Sequence, residues 1–170
     1  MKRAGFTMLE IMAVIVISGI LAAIAVPRFT EFISKNRLSA QAKNLTGFLR
    51  MARSNAIAHK SNYGVFIDTT NNTYGVFSDK NENCIFDSTS EELIKGPQSL
   101  RPEVYWVKIK VDNHTIIFNY YGTSNGGYIT LGREKADTLV ETGAILVRVF
   151  PLSGRITMDW TSKSAAKGLP

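Results

Sequence analysis

The chain has 170 residues, 45% hydrophobic and 20% charged, which suits one folded domain and excludes a wholly disordered polymer. Its one cysteine, Cys84, excludes an internal disulfide and any multi-cysteine zinc or iron–sulfur centre. The net charge is +6, but residues 28–60 hold seven bases against one acid, while residues 61–170 hold eleven bases against twelve acids; this uneven distribution weighs against a nucleic-acid surface over the whole domain.

Residues 11–26 carry no charge. Extended back to Phe6, the run is 21 residues, interrupted only by Thr7 and Glu10. At about 1.5 Å rise per residue it spans roughly the 30 Å hydrocarbon layer of a membrane. Lys2 and Arg3 precede it, so the short N-terminus stays cytoplasmic and the remainder crosses outward. Three readings fit. A cleaved secretory signal would use the alanines at 22, 23 and 25 as a small-x-small site. A plain anchor explains the length but not the acid. A carboxylate in an apolar span costs about 3 kcal/mol unless it is neutralised or stays wet at the interface, so the third reading gives Glu10 a dedicated cationic partner.

Residues 2–10 (Lys-Arg-Ala-Gly-Phe-Thr-Met-Leu-Glu) combine a basic leader, a Gly-Phe junction and a glutamate four residues beyond the Phe, ahead of the long apolar run closed by Pro27. This combination resembles the class III signal of type IV prepilins and pseudopilins. The resemblance implies cleavage between Gly5 and Phe6 by a prepilin peptidase and N-methylation of Phe6. It also implies an apolar helix that stays in the mature protein, and a Glu10 that pairs with the terminal amine of a neighbouring subunit. Two charges costly apart become tolerable together, so pairing rewards correct insertion into a filament. Ser18 and Gly19 are small enough to let helices approach closely, or are simply tolerated there.

Beyond Pro27, apolar residues recur at Leu38, Ala42, Leu45, Leu49, Ala52 and Ala56, at helical spacings that predict one stripe resting on a sheet downstream. Lys43 and Arg50 lie off the stripe, and Pro27 is the place for a kink. The stretch from Asn44 to Lys60, above all Arg50-Met-Ala-Arg-Ser-Asn-Ala-Ile, resembles the GspH/FimT branch of minor pseudopilins and minor pilins, as does the Gly154-Arg155 hairpin closing the chain.

After His59 the period changes to that of strands. Tyr63-Gly-Val-Phe and Tyr74-Gly-Val-Phe read as a pair joined by a polar turn at 68–73. Runs at 104–111, 115–121, 128–131, 145–150 and 155–160 make about seven strands, the last two joined by a Pro151-Leu-Ser-Gly turn. The expected fold class is α+β: a long N-terminal helix, half transmembrane and half amphipathic, packed on an antiparallel two-sheet β domain. The expected divisions are a leader at 1–5, a transmembrane helix at 6–27, a stem at 28–60 and a periplasmic β domain at 61–170.

No catalytic constellation stands out. His59 and His114 lack ligand spacing, no serine lies in a Gly-x-Ser-x-Gly elbow, and the glycine-rich loop at 122–127 lacks the lysine of a phosphate cradle. No cofactor and no metal is assigned. Residues 79–87 (Asp-Lys-Asn-Glu-Asn-Cys-Ile-Phe-Asp) match half of a calcium loop, with oxygens at positions 1, 3, 5 and 9, but lack the glycine at 6 and the glutamate at 12; the plainer reading is a polar hairpin tip. Some FimT-like pilins bind DNA through arginines after the Gly-Arg. Here that reading has only Arg155, Lys163 and Lys167, with Asp159 among them.

The resemblance thus implies a non-enzymatic minor subunit of a type II secretion pseudopilus or a type IV pilus, at its initiating tip. Its partners would be other major and minor pilins or pseudopilins, the prepilin peptidase and the bacterial inner membrane, crossed once with the C-terminal domain periplasmic. DNA binding during uptake is the alternative.

Overall fold

The computed structural model describes residues 7–133 and 143–161. The helix α1, Met8–His59, is continuous through position 27, where the sequence allowed a kink. The chain divides into two compact units, Met1–Asn36 and Arg37–Pro170. In the first unit the large apolar side chains from Met8 to Val26, and those of Phe29 and Phe32, are exposed, and α1 holds a run long and apolar enough to cross a membrane, none of it buried inside the protein.

In the second unit the predicted stripe is the seam of the fold. Leu38, Ala42, Leu45, Leu49, Ala52 and Ala56 are all fully buried, while Lys43 and Arg50 stay exposed. The stripe packs into one core with side chains from both sheets. Gln41 adds a buried polar tie: its Nε2 donates to the Tyr74 hydroxyl at 2.9 Å, and its Oε1 accepts the Arg101 N–H at 3.2 Å.

Eight strands follow among the described residues: β1 Tyr63–Asp68, β2 Thr73–Ser78, β3 Glu92–Ser99, β4 Tyr105–Lys110, β5 Thr115–Phe118, β6 Gly127–Gly132, β7 Ala144–Val149 and β8 Ile156–Thr161. They form two antiparallel four-stranded sheets, ordered β3-β2-β1-β5 and β4-β6-β7-β8. Sequence patterning misses β3, because Glu-Leu-Ile-Lys-Gly-Pro-Gln-Ser neither alternates nor lacks proline. Its place explains this: β3 is an edge strand, exposed throughout, where a proline removes no ladder bond that the sheet needs. The run expected at 115–121 ends earlier, at Phe118, because the Asn119 side chain takes the N–H groups of Tyr121 and Thr123 and turns the chain. In β4, Trp106 and Lys108 share the parity of one face. A register shift between them turns Trp106 to the core, 6.1 Å from the Tyr74 ring, and leaves Lys108 outside.

The repeated Tyr-Gly-Val-Phe segments pair so that Gly64 faces Phe77 and Phe66 faces Gly75. A Cβ on Gly64 would come within 2.8 Å of the Phe77 ring, and one on Gly75 within 2.6 Å of the Phe66 ring. Each phenylalanine therefore lies in the space its partner glycine leaves. Phe66, Phe77 and Ile117 form a second small core on the other side of the first sheet, covered by Cys84 and Phe86 from the β2–β3 connection.

Candidate functional site

The first turn of α1 is closed by its own residues. Thr7 Oγ1 accepts the Glu10 N–H at 3.2 Å, and Glu10 Oε2 accepts the Thr7 N–H at 3.5 Å. This is a capping box, signalled by the Thr-x-x-Glu spacing, and it satisfies two donors that a helix start leaves unpaired. It also places the carboxylate of the expected assembly residue against the chain one residue from Phe6. Gly5 and Phe6, the expected processing residues, lie outside the described residues. Ser18 and Gly19 are exposed, with nothing within 4 Å of a Cβ built at Gly19.

The two sequence blocks that resemble the GspH/FimT branch meet in space through Arg53. Its Nε donates to the Gly122 carbonyl at 3.0 Å and its Nη2 to the Ser153 carbonyl at 2.9 Å. One guanidinium thus ties α1 to the loop after β5 and to the β7–β8 hairpin at once, using the fixed fork that lysine lacks. Gly154 completes the junction: its φ is +56°, its N–H donates to the Phe150 carbonyl at 2.8 Å, and a Cβ there would lie 1.9 Å from the Gly122 carbonyl oxygen. Sequence reading finds the blocks but not this contact, since Arg53 and Ser153 are 100 positions apart.

Of the three DNA-binding candidates, Arg155 is exposed, its guanidinium 4.7 Å from the centre of the Phe150 ring. Arg148 lies 5.9 Å from the same ring. Lys163 and Lys167 lie outside the described residues. Asp159 is exposed on β8. His59 sits in the last turn of α1 with Nδ1 3.1 Å from the Asn55 carbonyl, and His114 closes a short 3-10 turn at Asp112–His114.

The β2–β3 connection is more elaborate than a hairpin tip. Asp79 is fully buried and Glu91 is 8% exposed. Asp79 Oδ2 accepts the Cys84 N–H at 3.3 Å, and Glu91 Oε2 accepts the Asp87 N–H at 3.1 Å. Their other oxygens, Asp79 Oδ1 and Glu91 Oε1, are buried with no hydrogen-bond partner. Burial pushes the Glu91 carboxyl above its ordinary range, and the nearby Asp79 charge adds to the effect. Burial likewise raises the free Cys84 thiol, with Asp79 and Glu82 adding to it, so Cys84 behaves as a half-buried packing residue. The Asp87 carboxylate is held low by the Thr89 and Ser90 groups that donate to it.

The chain is similar to known proteins at three levels. The structure resembles the type IV minor pilin FimU of Pseudomonas aeruginosa, with a TM-score of 0.55 at 15% identity over 75% of this chain and 92% of that one. It also resembles the minor pseudopilin EpsH of the Vibrio cholerae type 2 secretion system, with a TM-score of 0.52 at 10% identity over 74% and 97%. These likenesses show the fold. In sequence it matches the type IV major pilin protein PilA of Myxococcus xanthus, 38% identical over 65 residues, and the fimbrial protein EcpC of Eikenella corrodens, 47% identical over 45 residues. These matches cover 38% and 26% of this chain, and each spans 29% of the relative's own length. Residues 1–26 match the prokaryotic N-terminal methylation motif. Residues 41–161, from the buried half of α1 to the end of β8, match the family described as type II transport protein GspH, and the chain belongs to that family of pilin-like structural proteins.

Proposed function

We propose that this chain is a non-enzymatic minor subunit of a type II secretion pseudopilus or a type IV pilus, acting at the tip where the filament starts. It is made as an inner-membrane precursor with the β unit in the periplasm. A prepilin peptidase cuts it between Gly5 and Phe6, and Phe6 is N-methylated. The new ammonium at Phe6 then pairs with the Glu10 carboxylate of an adjacent subunit, and the exposed apolar length of α1 packs among the helices of other pilins or pseudopilins.

The observation that carries this reading is one acid, Glu10, in the first turn of an otherwise apolar and wholly exposed helical run. A free helix of that kind rests in lipid, where the acid is costly; an assembled one gives it a cation. Mass spectrometry of the native protein tests the processing: a mature chain starting at methylated Phe6 is expected, and a start near residues 24–28 would show a secreted protein instead. Glu10→Ala is expected to be processed normally but to fail to co-purify with the major subunit, and normal incorporation would refute the pairing.

DNA binding through Arg155, Lys163 and Lys167 is the second reading. Two arginines gathered at one ring, Arg155 at 4.7 Å and Arg148 at 5.9 Å from the centre of Phe150, favour it, and the exposed Asp159, four residues beyond Arg155 on β8, opposes it. A gel shift at micromolar protein decides it: salt-sensitive retardation that Arg155→Ala weakens supports it, and no retardation removes it.

A further inference from the structure

Assembly through α1 makes no use of the two buried acids behind the β2–β3 connection. Asp79 and Glu91 each bury an oxygen without a donor, and their side chains lie within hydrogen-bond reach of one another, so as two carboxylates they cannot satisfy each other and need a proton or a cation between them. The nearby charges acting on Glu91 are those of Asp79 and Asp87, both negative, and the neighbouring Lys80 pairs instead with Glu92 at 3.4 Å. Two buried acids set against each other are expensive unless a shared proton or a bound cation lies between them, and the further oxygens of the loop favour the cation.

The loop supplies further oxygens at the right interval. Asn81 Oδ1 accepts the Asn83 N–H at 3.1 Å, and Asn83 Oδ1 accepts the Ile85 N–H at 2.8 Å, so acid or amide oxygens recur at 79, 81 and 83, each folded back on the loop. Glu82 and Cys84 take φ of +58° and +60°, so Cys84 occupies, in a left-handed conformation, the sixth position where calcium loops carry glycine. We propose that residues 79–91 form a calcium site, with the buried carboxylates of Asp79 and Glu91 as its charged ligands and the Asn81 and Asn83 amide oxygens and loop carbonyls completing the shell.

Hard oxygen donors without histidine or thiolate ligands select calcium over transition metals. Among the described residues no group of three or more His, Cys, Asp or Glu is placed to hold a metal; this site has two acids and takes the rest of its shell from neutral oxygens. The scaffold is fixed from outside the loop: Phe86 stacks on Phe66 with ring centres 4.3 Å apart, and the Cys84 carbonyl accepts the Thr115 hydroxyl. Two charged ligands match the weak class of calcium sites, with a Kd of about 0.1–1 mM.

The test is thermal unfolding of the full chain in detergent micelles, in EGTA and in 10 mM calcium chloride at constant ionic strength. A rise in Tm of about 4 °C with calcium is expected, with a smaller rise in 10 mM magnesium. Glu91→Gln should fold at least as stably as the wild type in EGTA, because an amide next to Asp79 supplies the missing donor, and should lose the calcium response. Asp79→Asn should do the same. An unchanged Tm in calcium overturns the proposal, as does a full response in Glu91→Gln. A wild type insensitive to calcium but stabilised as pH falls also overturns it, by showing that the acids share a proton.

Discussion

Replacing Gly154 by alanine tests the Arg53 junction most sharply. The new Cβ would start 1.9 Å from the Gly122 carbonyl oxygen, well inside the 3.0 Å that real Cβ contacts respect, so hairpin and loop must separate by roughly 1 Å. An alanine at φ +56° adds about 1–2 kcal/mol of left-handed strain. Separation also stretches one of Arg53's two bonds, which start at 3.0 and 2.9 Å, out of range. Because Arg53 is half-buried, that loss is set at the low end for a charged donor, about 1.5 kcal/mol. The sum is about 3 kcal/mol, which at about 3 °C per kcal/mol lowers Tm by about 10 °C. Near-UV circular dichroism of the full chain in micelles reads the melting of the β unit. Gly47→Ala is the control: Gly47 is an exposed helical glycine with nothing within 4 Å of a built Cβ, and its replacement should raise stability by about 0.5–1 kcal/mol. A Gly154→Ala protein melting within 2 °C of the wild type would refute the junction's role.

Other expectations follow from the same packing. Leu49→Ala, at a fully buried position of the seam, should cost about 2–5 kcal/mol, read from the shift of a urea unfolding midpoint. Gln41→Leu leaves the buried Tyr74 hydroxyl and the Arg101 N–H without their partner and should cost about 2–3 kcal/mol by the same assay, whereas a neutral result would show that the tie is dispensable. Burial pushes the Tyr74 hydroxyl up to about 12, above its unfolded value of 10.0. Its contribution is therefore fully present below pH 10 and is lost as pH rises toward 12; Tyr74→Phe should flatten stability over that window, which unfolding midpoints at pH 9, 10 and 11 would register.

Much of the fold could be read in advance because its signals are local. The helical stripe from Leu38 to Ala56 is set by periodicity alone, and every one of its six positions is buried. The Thr-x-x-Glu cap is equally local, yet the apolar run around it draws attention to Glu10 as a charge in lipid and away from Glu10 as a cap. What escapes is set by distance along the chain or by position in the sheet. β3 looks unlike a strand because an edge tolerates proline and exposure. Arg53 looks like one more base in a basic segment until the fold brings two carbonyls to it. Glu91 falls outside the 79–87 window, and only the packing of the connection sets its carboxyl against Asp79.

The reciprocal fit of Gly64 with Phe77 and Phe66 with Gly75 does more than fill space. Backbone bonding alone would accept the β1–β2 pair shifted by two residues, since the same faces would still look inward. One such shift sets Phe66 against Phe77, ring on ring; the other sets Gly64 against Gly75 and opens a hole. Alignment of this hairpin is therefore written in volume, as a key is cut to its lock, and a swap of bulk at one site should be repaired only by the opposite swap across from it.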